Sequence, residues 1–224
     1  MEIMLKGSNM QSHASLSEKI HLSIYWLMNS IRKRPTFSII MPTYNRASII
    51  MESISSILEQ SFKDFELIII DDGSVDNTQQ LIMEKMSSQI KKRIVKFYRL
   101  EKNTGASHAR NIGLEKSRGE WICYVDSDNT IDKEFLQIFA NAIEKEPADC
   151  YYAQFIYKSD GREGPSKPFD YELLKKGNYI DMGVFVHKKD LVNSHGRFDE
   201  KLNRLIDWDL ILRYTYNTKV IYIP

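Results

Sequence analysis

The sequence predicts an α/β fold with a mostly parallel central sheet and helices on both faces. Nearly continuous apolar runs alternate with amphipathic helical patterns from residue 36 onward, and such runs are typical of parallel strands buried on both faces. The chain has 224 residues, of which 42% are apolar and 27% charged. That composition is sufficient for one sizeable core.

Residues 1–34 differ from the rest of the chain. Residues 1–14 are polar and rich in Met and Ser, and the segment that follows has apolar side chains at helical spacing. These side chains are Leu16, Ile20, Ile24, Leu27 and Ile31. We therefore expect an N-terminal amphipathic helix before a main domain at 35–224. Residues 32–34 form the basic end of this helix. Either the helix docks on the protein and its basic end is solvated, or the basic end makes a peripheral contact with an anionic lipid surface.

Five strands are expected from runs rich in β-branched and aromatic residues. They occupy residues 37–44, 65–72, 94–100, 121–126 and 219–224. Five helices are expected where apolar residues recur at spacings of three and four. They occupy residues 47–60, 77–88, 107–117, 132–146 and 207–216. Gly119 is expected to close the third helix and Pro147 to stop the fourth, while residues 151–180, punctuated by Gly and Pro, are expected to be a loop.

Charge and cysteine content limit the classes of partner and compartment. Lys and Arg number 31 against 30 Asp and Glu, a balance that gives no reason to expect nucleic acid as a partner. Cys123 and Cys150 lie in or beside apolar runs, as buried thiols do in a reducing compartment. The sequence shows no signal peptide and no apolar stretch of membrane-spanning length. We therefore expect a cytoplasmic protein, with any contact at the inner face of the membrane being peripheral.

Charged motifs follow three of the expected strands. The segment PTYNR, residues 42–46, ends the first strand, Asp71 and Asp72 end the second, and Asp126 and Asp128 end a later one. Ligands bind outside the carboxyl ends of strands in open parallel sheets. Each motif also has a structural reading, such as a helix N-cap, but a buried carboxylate is costly without a cation or donors. Several carboxylates at one edge therefore indicate a polar ligand, a metal, or both.

Asp126 and Asp128 are candidates for a metal site, because two carboxylates two residues apart at a strand end can point at one ion. Oxygen ligands suit Mg²⁺ or Mn²⁺, which usually complete their coordination with phosphate oxygens and water. The sequence contains neither GxxxxGK[ST] nor GxGxxG. A nucleotide would therefore be held by side chains and the metal rather than by a glycine-rich loop.

Four motifs in order resemble the family 2 glycosyltransferases, which have the GT-A fold. They are FSIIMPTYNRASII, FELIIIDDGSVDNT, NTGASHARNIGLEKSRGEWICYVDSDN and DWDLILR, and the resemblance spans about residues 36–223. It implies an inverting enzyme that moves a sugar from a nucleoside-diphosphate donor, a UDP-sugar, to a hydroxyl group. The implied acceptor is a glycan or a lipid-linked molecule in cell-surface polysaccharide synthesis.

The resemblance implies a role for each motif. The implied nucleotide-sugar-binding residues are Pro42, Thr43, Tyr44, Arg46, Asp71, Asp72, Asn103, Gly105, Arg110, Asp126 and Ser127. Asp126 and Asp128 would hold Mn²⁺ or Mg²⁺, and Asp207 would be the catalytic base. Trp208 is a candidate for stacking on a sugar and His187 for approaching the metal or acceptor, although an aromatic residue on a helix and a lone histidine are more often structural.

Two features depart from the family pattern. Ile206 precedes Asp207 where the family often has an acid, which weakens the assignment of the base. Family members usually continue past the last strand, so we expect a domain truncated at Pro224 that lacks a segment over the diphosphate. Helical spacing also places Asp209 and Arg213 as an ordinary ion pair, which leaves Asp207 as the free acid.

Two other functions stay open at the level of sequence. The segment ICYVDSDNT also fits the Asp-x-Asp-x-Thr motif of haloacid-dehalogenase-type phosphatases, whose first Asp is a nucleophile, although that motif normally lies on the first strand. The other alternative is a catalytically silent module that binds a nucleotide-sugar. The expected truncation is its main support.

Overall fold

The computed structural model describes residues 34–157 and 161–224. The amphipathic helix expected before residue 35 and its proposed lipid contact lie outside these residues, and the domain boundary stays a prediction. Residues 35–224 form one compact unit. None of the described helices is long and apolar enough to cross a membrane.

Strands and helices alternate along most of this unit. The strands are β1 (Phe37–Thr43), β2 (Phe65–Asp71), β3 (Val95–Arg99), β4 (Trp121–Tyr124), β5 (Cys150–Ala153), β6 (Phe185–Lys188) and β7 (Val220–Ile223). The helices are α1 (Ile50–Leu58), α2 (Thr78–Lys85), α3 (Ser87–Lys91), α4 (Ala106–Lys116), α5 (Phe135–Lys145), α6 (Tyr171–Leu174), α7 (Leu191–His195) and α8 (Ile206–Thr215), with a 3₁₀ turn at Met182–Val184.

Seven strands of the described part form one sheet in the order β3-β2-β1-β4-β6-β5-β7. Strands β3, β2, β1 and β4 run parallel to one another, and β5 is parallel to β7. Strand β6 is antiparallel to both β4 and β5. The mostly parallel α/β class is thus confirmed. Strands β5 and β6 were not predicted: most of β5 lies at the start of the segment expected to be a loop, and β6 follows that segment.

The sheet is covered on both faces, as the apolar strands predicted. Alternate residues of a strand point to opposite faces, and β1 shows this directly. Ile39 belongs to the core that also contains Ile54 of α1 and Phe139 of α5. Ile40 belongs to a second core that also contains Tyr214 of α8. Each core therefore excludes water from one face of the sheet.

Gly119 has a different role from the predicted one. Helix α4 ends at Lys116, before Gly119, which instead lies directly against β1. A Cβ atom at this position would lie 2.5 Å from the backbone nitrogen of Ser38. The Gly119 amide donates a hydrogen bond of 2.8 Å to Ser38 Oγ, whose hydroxyl donates to Glu66 at 2.7 Å. The glycine therefore lets the connection from α4 to β4 pack closely on β1.

We predict that Gly119→Ala destabilises the domain by about 1–3 kcal/mol, the usual cost of overpacking a tight site. Gly177→Ala is the matched control, because nothing lies within 4 Å of a Cβ atom at that position. Urea unfolding of both variants and the parent measures the difference. Equal stability of the two variants would show that the contact between Gly119 and β1 is not tight in solution.

Candidate active site

A cleft of about 540 Å³ opens at the carboxyl ends of β1, β2 and β4. Its volume is in the range of small-molecule sites. It is lined by Pro42, Thr43, Tyr44, Asn45, Arg46, Asp72, Asn103, Gly105, Ala106, Ala109, Arg110, Asp126, Ser127 and Asp128. The structure therefore brings together every residue predicted to bind the nucleotide-sugar except Asp71, which does not line the cleft. Asp128 of the predicted metal pair lines it as well.

One wall of the cleft is built around Asn45, a residue that the sequence reasoning missed. Its backbone has a positive φ of 53°, which Asn tolerates better than most residues. The side-chain oxygen of Asn45 accepts a hydrogen bond of 2.8 Å from the Val75 amide. The Asn45 amide donates to Ser74 Oγ at 2.9 Å. These bonds join the segment after β1 to the turn after β2. The sequence signal that could have identified Asn45 was an Asn between two predicted site residues, Tyr44 and Arg46.

Asp71 and Asp72, which are expected to receive the base, occupy different positions: Asp72 lines the cleft and Asp71 does not. Asp71 is fully buried, and its Oδ1 accepts from the Ser74 amide at 2.9 Å. Both Asp72 oxygens accept from the backbone of the next loop: Oδ1 from the Thr104 amide at 2.8 Å and Oδ2 from the Gly105 amide at 2.7 Å. Asp71 Oδ2 is buried without a hydrogen-bond partner among the described residues, with Arg99 Nε 3.9 Å away. Asp72 therefore fixes the loop after β3, Asp71 closes the turn after its own strand, and a direct contact of either carboxylate with the base stays a prediction.

Arg110 on α4 connects the two acids to which the sequence assigns different roles. Its Nη2 donates to Asp126 Oδ1 at 2.8 Å and its Nη1 to Asp207 Oδ1 at 3.1 Å. The Arg110 side chain is only 7% exposed. Burial lowers the pKa of Arg110, but Asp126 and Asp207 act in the opposite direction and leave the pKa above its usual value. Arg110 is therefore a permanent positive charge shared by two carboxylates.

Asp207 is the second residue of α8 and is connected to the cleft through Arg110. Burial raises the pKa of Asp207, Arg110 opposes this rise, and the negative charges of Asp126 and Asp181 add to it. Only Oδ1 of Asp207 forms a hydrogen bond within the described residues. Oδ2 thus provides an unbonded basic oxygen beside the guanidinium.

Asp126 and Asp128 are both about half exposed. Each uses one carboxylate oxygen in an ion pair, Asp126 with Arg110 and Asp128 with Arg46 at 3.3 Å. The second oxygen of each has no hydrogen bond within residues 34–157 and 161–224. No group of three or more His, Cys, Asp or Glu side chains in this part of the chain could surround a metal, so a cation bound here would have no third ligand of these four types.

His187 is not available to a ligand, which corrects the expectation that it approaches the metal or acceptor. The residue is fully buried in β6. Its Nδ1 donates to the Lys188 carbonyl at 2.8 Å, and its Nε2 accepts from the Tyr124 hydroxyl at 3.0 Å. Burial lowers the pKa of His187 to about 4. It is a neutral core histidine with both ring nitrogens bonded.

Trp208 also has a structural environment. Its Nε1 donates to the Leu174 carbonyl at 2.9 Å, and its half-buried ring packs against the second core. The structure therefore favours a core role over stacking on a sugar. The expected ion pair between Asp209 and Arg213 is confirmed, with Arg213 Nη2 2.7 Å from Asp209 Oδ2.

A family model described as glycosyl transferase family 2 matches residues 38–198. The chain belongs to glycosyl transferase family 2. The match includes the cleft and Arg110. A haloacid-dehalogenase-type phosphatase is therefore the wrong interpretation of Asp126 and Asp128, which follow the fourth strand of a glycosyltransferase domain.

Curated relatives are named glycosyltransferases. The poly(ribitol-phosphate) β-N-acetylglucosaminyltransferase TarP of Staphylococcus aureus is 36% identical over 151 residues, which cover 66% of this chain and 45% of TarP. An uncharacterized glycosyltransferase of Haemophilus influenzae is 34% identical over 163 residues, covering 70% of this chain and 64% of the relative. The chain therefore spans less than two thirds of the length of either protein.

Solved structures confirm the expected GT-A fold. Staphylococcus aureus TarS, crystallised with UDP-GlcNAc, matches with a TM-score of 0.71 and 27% identity, covering 84% of this chain and 56% of the TarS chain. The mannosyltransferase PcManGT of Pyrobaculum calidifontis, crystallised with GDP-Man and Mn²⁺, matches with a TM-score of 0.66, covering 91% of this chain and 62% of its own. Its 20% identity supports the fold alone.

The buried state of His187 predicts a pH dependence of stability. The unfolded chain protonates this histidine as the pH falls below about 6.5, whereas the folded protein does so only near pH 4. Between these values the unfolded state binds more protons, so the free energy of unfolding falls with decreasing pH, by about 3 kcal/mol from this residue.

Urea unfolding between pH 7.5 and pH 4.5 tests this prediction in the parent and in His187→Gln. The variant is expected to be less stable at neutral pH, because it loses a packed ring, and to have a shallower pH dependence. Parallel pH profiles for the two proteins would show that His187 is not buried in the neutral form.

Proposed function

We propose that the chain transfers a sugar, with inversion, from a UDP-sugar to a hydroxyl group of a glycan or lipid-linked acceptor in cell-surface polysaccharide synthesis, working in the cytoplasm. The observation that carries this proposal is the Arg110 bridge, which places an acid of the donor cleft, Asp126, beside a second acid with an unbonded oxygen, Asp207. The name of TarP and the UDP-GlcNAc in the TarS crystal support the class of acceptor and donor.

The wall after β1 supports a nucleoside subsite. Thr43 lines the cleft, and its buried Oγ1 has no hydrogen-bond partner within the described residues. Such groups are rare in folded proteins and call for an explanation, which a ribose or base polar group would provide. Tyr44, 40% exposed at the same wall, offers a ring against which a base or ribose can pack.

The two acids of the cleft fit a divalent cation. Asp126 and Asp128 each have a carboxylate oxygen without a hydrogen bond among the described residues, and no third His, Cys, Asp or Glu side chain of that part of the chain accompanies them. This donor set matches Mg²⁺ or Mn²⁺, which is commonly bound by one or two carboxylates together with substrate phosphates and water. When bound, such an ion would neutralise negative charge on a diphosphate leaving group.

Asp207 is the proposed general base. In a single displacement, an acceptor hydroxyl oxygen bonds to the anomeric carbon while the bond from that carbon to the diphosphate oxygen breaks. Asp207 Oδ2 takes the hydroxyl proton, the sugar stays on the acceptor oxygen, and the leaving group departs as UDP. A carboxylate whose pKa is raised by burial is a better proton acceptor than an ordinary aspartate, and Arg110 fixes its other oxygen.

We predict that Asp207→Asn lowers transfer by about 100- to 10,000-fold, the usual contribution of a positioned base, while donor binding is retained. Transfer from UDP-GlcNAc to a glycan acceptor at saturating donor measures the rate, and calorimetry measures UDP-GlcNAc binding. Asp209→Asn is the matched control on the same helix turn, because Asp209 is paired with Arg213. It is expected to lower stability but to keep the transfer rate of the folded protein.

Three outcomes would contradict the proposal in different ways. Transfer by Asp207→Asn at the parent rate would place the base elsewhere. Binding of UDP-GlcNAc by the parent without transfer to any acceptor tested would favour the silent binding module. Loss of transfer in Asp209→Asn as severe as in Asp207→Asn would show that the start of α8 matters only for folding.

A further inference from the structure

The guanidinium of Arg110 lies against an aromatic ring that is not part of the cleft. Arg110 Cζ is 5.6 Å from the centroid of the Phe198 ring, within the range of a cation–π contact. Phe198 is 3% exposed. Its ring meets the Tyr124 ring edge to face, with centroids 5.4 Å apart. The ring is therefore fixed from one side by β4 and presents its surface to Arg110.

The backbone of Phe198 is fixed by the residue that follows Arg110 on α4. Asn111 Oδ1 accepts from the Phe198 amide at 3.0 Å, and Asn111 Nδ2 donates to the Phe198 carbonyl at 3.0 Å. The same Nδ2 also donates to Glu200 Oε1 at 2.7 Å. Asn111 is buried, so one side chain satisfies both backbone polar groups of Phe198 as a neighbouring strand would. Helix α4 thus carries both Arg110 and the side chain that fixes its aromatic neighbour.

The guanidinium of Arg110 has few directional contacts. Its two terminal nitrogens are bonded to Asp126 and Asp207, but its buried Nε has no hydrogen-bond partner within the described residues. An arginine side chain has many rotamers, and its planar fork is useful only when its plane is fixed. Because the Nε–H forms no bond, the contacts that orient the plane are the two carboxylates and the face of Phe198.

We propose that Phe198, held by Asn111, is a positioning residue that fixes the plane of Arg110 and through it the carboxylate of Asp207. The effect on catalysis rests on the function proposed above, whereas the effect on Arg110 itself does not. Misplacing a reacting group by about 1 Å can cost about 100-fold in rate, so a ring that sets the position of the base affects turnover more than donor binding.

Phe198→Leu tests the proposal, because it keeps an apolar side chain and removes the aromatic face. We expect kcat for transfer from UDP-GlcNAc to fall about 10- to 100-fold, with little change in the KM for the donor. Phe139→Leu is the matched control, since Phe139 is equally buried but belongs to the core on the other face of the sheet. Asn111→Ser keeps the ring and releases its backbone, and it serves as a second variant if Phe198→Leu does not fold.

A double-mutant comparison separates positioning from a general loss of structure. If Phe198 acts through Arg110, adding Phe198→Leu to Arg110→Lys lowers kcat no further. If kcat of the double variant instead falls by the product of the two single effects, the proposal is overturned. A parent-like kcat in both Phe198→Leu and Asn111→Ser also overturns it.

The NMR signal of the Arg110 Nε–H tests positioning without any donor. The signal is assigned by its loss in Arg110→Lys, and its buried position predicts slow exchange with water. We expect faster exchange and a changed shift in Phe198→Leu and Asn111→Ser but not in Phe139→Leu. An unchanged signal in the first two overturns the proposal. If the parent transfers no sugar but the signal changes in these two variants, the positioning role stands and the proposed function is contradicted instead.

Discussion

The candidate site depends on one buried positive charge. Arg110 is a nearly buried guanidinium, and removing such a charge from water is expensive unless acids and hydrogen bonds compensate for it. Asp126 after β4 and Asp207 at the start of α8 provide that compensation. These acids are 81 positions apart in the sequence, so their approach is set by α4 rather than by local chain geometry. The same contacts that keep Arg110 charged therefore bring a cleft acid next to the proposed base.

The fold explains why the cleft lies where it does. Parallel strands β1, β2 and β4 end at one edge of the sheet, so the polar segments that follow them meet there. Asp72 joins the segment after β2 to the loop after β3 by accepting from the Thr104 and Gly105 amides, while Asp71 closes the turn after β2 by accepting from the Ser74 amide. Much of the charge near the cleft therefore maintains its shape, and a smaller set of groups, including Asp126, Asp128 and the Thr43 hydroxyl, is left to contact a ligand.

The sequence was informative where the physical signal is local. Long apolar runs predicted the parallel strands, and the acids at their ends predicted the edge that carries the cleft. It was uninformative where tertiary contacts decide: most of β5 lies in the segment expected to be a loop, and the burial of His187 depends on Tyr124 of a neighbouring strand. Motif resemblance placed Arg110 beside the nucleotide, but its pairing with Asp207 is a contact between two helices far apart in the sequence. Asp71 shows the same limit, since a motif indicates an edge of the sheet and not the direction of a carboxylate.

A crystal structure of the chain with UDP-GlcNAc and Mn²⁺ tests whether the Arg110 bridge lies at the site of sugar transfer. We expect the diphosphate beside Asp126 and Asp128, the nucleoside at the wall formed by Thr43 and Tyr44, and Asp207 on the side of the anomeric carbon opposite the diphosphate. Arg110 is predicted to remain in contact with Asp207. A donor bound outside the cleft, or a sugar whose anomeric carbon faces away from Asp207, would contradict it.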